Sequence, residues 1–190
     1  AYLKLDFQTD VMTRLANSKD NNFRSVCFIS DEYSEYCTET DCNFFSQSRE
    51  AKCINIVATQ SYTSLLNTLH DQSAVNVIIQ NLINKLWFRS DDIFTIENAQ
   101  KQIGKEDKEK ISRGISENAK ETVYSYFTNS LNSKNSNISE TITTTLQNDF
   151  VYDTNFFTIH LTNFHCLSFL STGTEIIPPS ELKLFPYFNN

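Results

Sequence analysis

The sequence predicts an α/β fold, with a mostly parallel sheet flanked by helices. Residues 23–30 and 53–59 each have a continuous apolar centre, which is typical of strands buried on both faces of a covered parallel sheet. Segments with helical periodicity precede and separate these strands, so strand and helix alternate along the chain. At 190 residues, 39% of them apolar, the chain is long enough for one domain, or for one domain with a trailing subdomain.

The first elements follow from the spacing of apolar residues. Residues 1–16 place apolar side chains along one face of a helix. Strand 23–30 comes next, and a polar stretch leads from it to a short helix at about 44–52. The second strand, 53–59, ends at Gln60.

The next segment continues the alternation and adds a third strand. Its elements are helices at 61–69 and 73–82, a strand at 85–89 and a helix at 93–103. Asp91 or Asp92 precedes the last helix as its N-cap, and Gly104 follows it as a C-terminal signal. The first 104 residues are therefore predicted to form one continuous α/β region.

Residues 105–150 differ in composition from the rest of the chain. The segment 105–120 is densely charged and is predicted to be helical, with i,i+4 pairs such as Glu106 with Lys110. Residues 129–148 are rich in Asn, Ser and Thr and have no apolar periodicity. The whole segment is therefore predicted to be an exposed, partly mobile excursion.

Residues 151–190 return to core composition and are predicted to close the same domain. Asp153 or Thr154 caps a short helix, and a strand follows at 166–170. A turn then leads to a last extended segment at 182–188. No internal repeat is visible in the sequence.

The composition excludes several classes of protein. A net charge of −7 argues against a general polyanion-binding surface. The three glycines are too scattered for a complete phosphate-binding loop or dinucleotide fingerprint. Five cysteines in a chain of this size fit a reducing compartment better than a disulfide scaffold. No apolar run approaches the length of a membrane span, and no signal peptide opens the sequence. The first residue is Ala and a helical pattern follows it at once, so we interpret the chain as a piece of a longer protein.

Two acidic residues, Asp31 and Glu32, directly follow the predicted strand at 23–30. An apolar strand ending in two acids is what a Walker B element needs, because one acid holds the water shell of Mg²⁺ and the next orients or deprotonates the attacking water. Gln60 ends the next strand, where we predict that its amide lies beside the same site and contacts a γ-phosphate or a water molecule. For the two acids taken alone, a solvated turn is the simpler alternative.

Arg49 precedes the second strand and is the fourth candidate. We predict its guanidinium near the carboxyl edge of the sheet or on the neighbouring surface, where its planar fork suits a phosphate. The alternative is a surface ion pair with Glu50 or Asp41. Zinc is not expected, because the Cys37–Cys42 spacing is at the edge of what structural sites use and a second ligand pair is missing.

Taken together, several segments resemble the VirD4/TraG/TraD family of type IV secretion coupling proteins. The resemblance covers about residues 1–188 and is weakest across 105–150. It is carried by Asp31–Glu32, Ser48–Lys52, Ala58–Ser61, Asn84–Asp92, Gln100–Gly104, Phe164–Phe169 and Ile176–Pro179.

The resemblance implies the carboxyl-terminal portion of a RecA-like P-loop NTPase core, from an ATPase at the cytoplasmic face of the inner membrane. Asp31 and Glu32 match the Walker B pair of that family, Gln60 matches its sensor glutamine, and Arg49 matches an arginine proposed to reach the nucleotide of a neighbouring subunit. The implied cofactors are ATP and Mg²⁺, with Asp31 holding the metal ion through water. The implied partners are further copies in a hexamer, single-stranded DNA, relaxosome proteins and inner-membrane channel components.

The sequence departs from the family in lacking a Walker A loop, a transmembrane anchor and an all-helical cap domain. This piece alone is therefore not expected to hydrolyse ATP. Two other functions stay open. An FtsK/HerA-type DNA translocase has the same acid pair and glutamine. A non-enzymatic docking module would keep the fold and recognise relaxosome or secreted-protein signals, with 105–150 as its recognition surface.

Overall fold

The computed structural model of this chain describes residues 2–16, 24–117, 124–125, 130–131 and 138–186. The chain forms two compact units, one of which is Lys105–Val151, while the segments on either side of it together form the other. We refer to these as the ribbon unit and the main unit. None of the described helices is both long enough and apolar enough to cross a membrane.

Five α-helices and nine strands make up the described residues. The helices are α1 (Tyr2–Ala16), α2 (Asp41–Gln47), α3 (Tyr62–Leu69), α4 (Gln72–Asn81) and α5 (Ile93–Ile103). The strands are β1 (Val26–Ser30), β2 (Cys53–Val57), β3 (Lys85–Trp87), β4 (Lys105–Glu117), β5 (Tyr124–Ser125), β6 (Ser130–Leu131), β7 (Ile138–Phe150), β8 (His165–Ser171) and β9 (Ile176–Lys183). Short 3₁₀ and π turns cover Tyr33–Glu35 and Phe156–His160.

Helices α3, α4 and α5 begin at polar side chains that cap them. The side chains of Ser61, Asp71 and Asp92 accept hydrogen bonds from backbone N–H groups in the first turns of α3, α4 and α5. Of the two predicted caps for α5, Asp92 is the one used. Helix α2 begins and ends earlier than the predicted helix at 44–52, because its first residue, Asp41, is held in the protein interior.

Strands β1 and β2 form a parallel pair in register from Val26 with Cys53 to Ser30 with Val57. This pair is the only parallel sheet among the described residues, so the predicted mostly parallel sheet is wrong, although the α/β class holds. The predicted third strand, β3, pairs antiparallel with β8, and β9 pairs antiparallel with β8 in turn. The main unit therefore contains two separate sheets, the parallel pair β1–β2 and the antiparallel three-stranded sheet β3–β8–β9.

The prediction that β1 and β2 are buried on both faces is also wrong. One face of the pair carries Val26 and Phe28, which pack into the main apolar cluster. On the other face Ile29 is 72% exposed, and Ile54 and Ile56 are more than half exposed. The apolar run is continuous in the sequence, but only alternate residues are covered by the described part of the chain.

The main unit contains two apolar clusters. The larger one is built around the fully buried Tyr33, Val75 and Ile78, with Phe44 and Phe45 in contact at a ring-centroid distance of 5.5 Å. The smaller one contains the buried residues Trp87, Ile96, Ala99, Phe157, Leu161 and Leu167. Helix α5, β3 and the closing segment therefore share one apolar cluster.

A buried carboxylate, Asp41, joins α1 to α2. It is fully buried, and Lys4 Nζ lies 2.9 Å and 2.8 Å from its two oxygens. Gln8 Nε2 and the Thr38 N–H donate to it at 2.9 Å and 3.0 Å, and the Tyr33 hydroxyl donates as well. Burial works against the charge, but these donors outweigh it and hold the pKa of Asp41 below its ordinary value. Donors within the protein therefore satisfy both oxygens of the Asp41 carboxylate, and the role of this residue is structural.

Replacing Asp41 with asparagine is expected to destabilise the fold by about 3–5 kcal/mol, because it leaves the Lys4 ammonium buried without its counter-charge. Urea unfolding at pH 7 measures the loss. Glu39→Gln removes an exposed carboxylate two residues away, and this control is expected to change stability by no more than about 0.5 kcal/mol. A loss below about 1 kcal/mol for Asp41→Asn would contradict the assigned role.

The same carboxylate gives the unmodified protein a pH dependence. Because the pKa of Asp41 is lower in the folded state, the unfolded state binds more protons in acid. The stabilisation from this group is complete above its unfolded value of 3.8 and is lost as pH falls through the folded value. We therefore expect the free energy of unfolding to fall between pH 6 and pH 2 in the unmodified protein. In Asp41→Asn, the part of this fall that comes from Asp41 should be absent, as unfolding curves at several pH values can measure.

The ribbon unit is built on β4 and β7, which pair antiparallel from Lys105 with Phe150 to Glu117 with Ile138. The predicted helix at 105–120 is therefore wrong over 105–117, and residues 118–120 lie outside the described residues. Glu106 lies 3.7 Å from Lys108 instead of pairing with Lys110, because residues two apart are nearest neighbours on one face of a strand. Of the predicted excursion at 105–150, residues 118–123, 126–129 and 132–137 lie outside the described residues, whereas 138–148 belong to β7.

The closing segment of the main unit follows the predicted order with different boundaries. The Asp153 carboxylate accepts a hydrogen bond from the Phe156 N–H at 2.9 Å and so caps the turn Phe156–His160. The strand predicted at 166–170 is β8. The expected extension at 182–188 overlaps β9, which ends at Lys183, and residues 187–188 lie outside the described part.

Candidate functional site

The two predicted acids directly follow β1 in a tight turn. Glu32 adopts a left-handed conformation, with φ 46°, and the Asp31 carboxylate accepts a hydrogen bond from the Glu32 N–H at 2.9 Å. Tyr36 donates its hydroxyl hydrogen to the Asp31 carbonyl at 2.7 Å. Both acidic side chains are exposed to solvent. The turn is therefore fixed through its backbone while its carboxylates remain available.

Gln60 lies at the same edge of the sheet as the acids. The Ala58 N–H donates to the Ser30 carbonyl at 2.8 Å, and the Tyr33 N–H donates to the Ala58 carbonyl at 2.9 Å, so the two strand ends are tied together. Gln60 follows two residues after Ala58 and is exposed. As predicted, Asp31 and Gln60 follow adjacent parallel strands.

Arg49 lies at the opposite edge. It belongs to the turn that precedes β2, in which the Lys52 N–H donates to the Arg49 carbonyl at 3.0 Å. The five residues of β2 separate it from the edge that carries Gln60, a length of about 17 Å at ~3.3 Å per residue. The predicted position near the carboxyl edge is therefore not observed. The Arg49 side chain is exposed and has no ion-pair partner within the described part of the chain, and Asp41 is bound by Lys4.

A groove of about 590 Å³ opens between β2 and β3. Ile54 and Ile56 of β2 line one wall. Leu86 of β3 and Phe88, which follows β3, line the other, and Gln60 is also a lining residue. Lys85 also lines the groove, and burial lowers the pKa of its amine to about 8. Sequence reasoning missed this groove. No local pattern in the sequence indicates it, because the groove depends on which strands are not neighbours in a sheet.

A hydrogen-bonded cluster joins the segment after Gln60 to α5. The Asp92 carboxylate accepts from the Thr63 hydroxyl at 2.5 Å and from the Thr95 N–H at 2.9 Å. The Thr95 hydroxyl accepts in turn from the Tyr62 N–H at 2.8 Å. Burial of Asp92 opposes its charge, but the donors outweigh it and lower the pKa of Asp92. This cluster fixes the start of α3 and with it the backbone next to Gln60.

The cysteines and histidines do not form a second site in the described residues. Burial raises the pKa values of the Cys37, Cys42, Cys53 and Cys166 thiols, and only Cys27 is exposed. His165 Nδ1 lies 2.5 Å from a Glu181 oxygen across β8 and β9. Within the described ranges, no group of three or more His, Cys, Asp or Glu side chains could hold a metal ion.

Comparison with known proteins supports one family. A family model described as the TraM recognition site of TraD and TraG matches residues 25–149. Among solved structures, the chain is similar to the bacterial conjugative coupling protein TrwBdeltaN70 in its unbound monoclinic form, with a TM-score of 0.59 and 12% identity. That match covers 94% of this chain and 35% of the other, so this chain spans about a third of its length. No curated protein sequence matches the chain.

Proposed function

This chain belongs to the family described as the TraM recognition site of TraD and TraG, the conjugative coupling proteins, and we propose that it is the carboxyl-terminal part of their RecA-like P-loop ATPase motor. The observation that carries the proposal is the common edge of two adjacent parallel strands, where Asp31, Glu32 and Gln60 follow β1 and β2. In open α/β sheets, ligands bind beyond the carboxyl ends of the strands.

The side chains at this edge fit the chemistry of a Mg²⁺–nucleotide complex. Mg²⁺ keeps several of its waters and binds proteins through one or two carboxylates, and two exposed carboxylates beside an amide meet that requirement. When bound, the complex supplies the phosphoryl group and the charge of the metal ion. Asp31 would hold the water shell, Glu32 would orient and deprotonate the attacking water, and Gln60 would contact the γ-phosphate.

In this proposal the full-length protein works as a hexamer at the cytoplasmic face of the inner membrane. It couples ATP hydrolysis to the transfer of single-stranded DNA with its bound relaxase, or of protein substrates, into a type IV secretion channel. The phosphate-binding loop that such a motor requires has no counterpart in these 190 residues. In this proposal, that loop belongs to another part of the full-length protein.

ATP hydrolysis by the full-length protein tests the proposal. We expect hydrolysis that single-stranded DNA stimulates, whereas the 190-residue chain shows none because the phosphate cradle and its lysine are missing. A purified full-length oligomer that binds its DNA and protein partners but hydrolyses no nucleotide would overturn the motor. That outcome would favour the docking function instead.

The ribbon unit favours a docking function that can coexist with the motor. The family model that matches residues 25–149 is described as a recognition site for TraM, and this match includes the ribbon up to residue 149, close to the end of β7. One face of the ribbon carries Ile111, Ile142 and Leu146, which are 61%, 59% and 71% exposed. An isolated two-stranded ribbon is only marginally stable in water, so a partner that covers this face would also stabilise it. We propose that this face binds a relaxosome protein of the TraM type.

Substituting the apolar face should weaken that binding. The triple variant Ile111→Ser, Ile142→Ser and Leu146→Ser is expected to lower affinity for the purified relaxosome protein by roughly tenfold or more, because apolar residues at the centre of an interface dominate its energy. Calorimetric titration measures the change. The matched control places Lys110→Ser, Thr143→Ser and Thr145→Ser on the opposite, polar face of the same strands. Equal affinity for both triple variants would contradict the assigned face.

A further inference from the structure

The outer edge of β7 is open and uncharged along most of its length. Within the described residues β7 pairs with β4 alone, and this pairing runs from Ile138 to Phe150 without a register shift. The other edge of β7 therefore presents unpaired backbone N–H and C=O groups, which proteins usually protect with charged residues, proline or bulges. β4 begins with six consecutive charged residues, but residues 141–148 of β7 include no acidic residue, no basic residue and no proline. The edge of β7 thus lacks the usual protection against pairing with another strand.

The residue pattern along this edge is nearly the same in both directions from Thr144. A threonine stands on either side of it, and Ile142 and Leu146 lie two residues away. When two copies of β7 pair antiparallel with Thr144 at the centre, Ile142 of each copy faces Leu146 of the other, and no like charges face each other between 141 and 147. Opposed apolar residues stabilise neighbouring strands, whereas opposed like charges destabilise them. The edge of β7 is therefore complementary to the same edge of a second copy.

We propose that the β7 edges of two copies of this chain pair antiparallel, with Thr144 opposite Thr144, and form a four-stranded sheet in which each β4 is an outer strand. A self-complementary contact of this kind has two-fold symmetry and joins copies in pairs. It also supplies what the ribbon unit lacks, since a two-stranded ribbon alone is only marginally stable, whereas three or more strands with an apolar face are stable.

The pairing joins the apolar residues of both copies. Ile142 and Leu146 are each more than half exposed and share a face of the ribbon with Ile111, so two paired ribbons present one continuous apolar face. Pairing along the edge leaves that face open and is therefore compatible with the docking function proposed above. The inference rests on the pattern of β7 and requires neither that function nor ATP hydrolysis.

Disulfide crosslinking in the full-length protein tests the contact and its register. A disulfide needs Cα atoms about 4.4–6.8 Å apart, and directly opposed residues of antiparallel strands meet this at about 4.5–5.5 Å. After mild oxidation we expect Thr144→Cys to give dimers linked through residue 144, and the double variant Thr141→Cys with Gln147→Cys to give dimers linked from 141 to 147. The two variants sample both the wide and the narrow pairs, which alternate along an antiparallel ladder. Peptide mapping under non-reducing conditions identifies the linked residues.

The single variants Thr141→Cys and Gln147→Cys are the matched controls. In the proposed register each of these residues lies about 20 Å from its own counterpart, at ~3.3 Å per residue, so each is expected to give roughly tenfold fewer linked dimers or less. The unmodified protein gives the background from the native cysteines. Comparable linking by all three single variants would show contact without this register and would overturn the proposal. No linking by either Thr144→Cys or the double variant would leave this edge to a different partner and would overturn it as well.

A charge at the centre of the edge tests whether the links depend on strand pairing. Thr144→Lys, added to the double-cysteine variant, places two ammonium groups opposite each other, and we expect linking to fall roughly threefold or more. Ser112→Lys adds the same charge on β4, one strand away from the contact, and is expected to link as the double-cysteine variant does. Equal linking by the two lysine variants would overturn the proposal. No readout uses ATP or a relaxosome protein, so a failure here is distinct from a failure of the motor or of docking.

Discussion

Replacing Glu32 with glutamine in the full-length protein is expected to leave nucleotide binding nearly unchanged and to lower ATP turnover by about 10²–10⁴-fold. The amide keeps the size and hydrogen-bonding reach of the side chain but cannot accept the proton of the attacking water. Asp31, which would hold the water shell of Mg²⁺, stays intact. Nucleotide affinity and DNA-stimulated turnover, measured on the same preparation, separate the two effects.

A second glutamate in the same region provides the control. Glu35 is also exposed and lies three residues further along, in the short turn that follows the acid pair. Glu35→Gln removes the same charge from the same surface, and we expect turnover close to that of the unmodified protein. If Glu32→Gln retains normal turnover, Glu32 has no catalytic role and its left-handed turn serves another purpose.

Local patterns made most of the main unit predictable. The helices α1, α3, α4 and α5 follow apolar periodicity and capping residues that lie within a few positions of each other, so no distant contact is needed to place them. The strands β1 and β2 are placed by short apolar runs. Their order along the chain also places Asp31 and Gln60 at one edge, since one helical connection joins neighbouring parallel strands.

The ribbon was not predictable from the same kind of evidence. The first six residues of β4 are all Lys, Glu or Asp, and these residue types favour a helix or a loop when considered alone. What makes β4 a strand is its antiparallel pairing with β7, whose run of Ile and Thr residues has high strand propensity. The two strands are more than twenty residues apart at their nearest ends. Long-range pairing of this kind overrides the local preference of β4 for a helix or a loop.

The antiparallel order of the three-stranded sheet β3–β8–β9 was not predicted for a related reason. Alternation of strands and helices favours parallel order, but β3 has only three residues and its neighbour is β8, which lies beyond the ribbon in the sequence. The groove between β2 and β3 was equally hidden, because it depends on which strands are not neighbours. Of the two positions predicted for Arg49, the carboxyl edge was wrong, because residues that precede a strand lie at its amino end, opposite the edge that carries Gln60.

The position of Arg49 gives its proposed role a specific geometry. About 17 Å of strand separates it from the edge of Asp31 and Gln60 in its own chain, too far for its side chain to reach a phosphate there. A role in phosphoryl transfer must therefore be directed to the nucleotide of a neighbouring subunit. Arginine fingers of this kind contribute roughly 10³–10⁵-fold to the rate in other phosphoryl-transfer enzymes. Full-length Arg49→Ala is accordingly expected to lose nearly all DNA-stimulated ATP hydrolysis, whereas loss of an exposed surface charge with no such role would change it little.

Mixing two inactive variants tests the direction of the contact. Full-length Arg49→Ala subunits retain Glu32, and full-length Glu32→Gln subunits retain Arg49. When the two exchange into common rings, an Arg49→Ala subunit beside a Glu32→Gln neighbour regains a complete site, so we expect partial recovery of DNA-stimulated hydrolysis that depends on the mixing ratio. Fluorescent labels on the two variants confirm that subunits exchange, and Arg24→Ala, which removes another exposed arginine, serves as the matched control. If the subunits exchange and no activity returns, Arg49 does not act across the subunit boundary, and the distance along β2 then excludes it from phosphoryl transfer altogether.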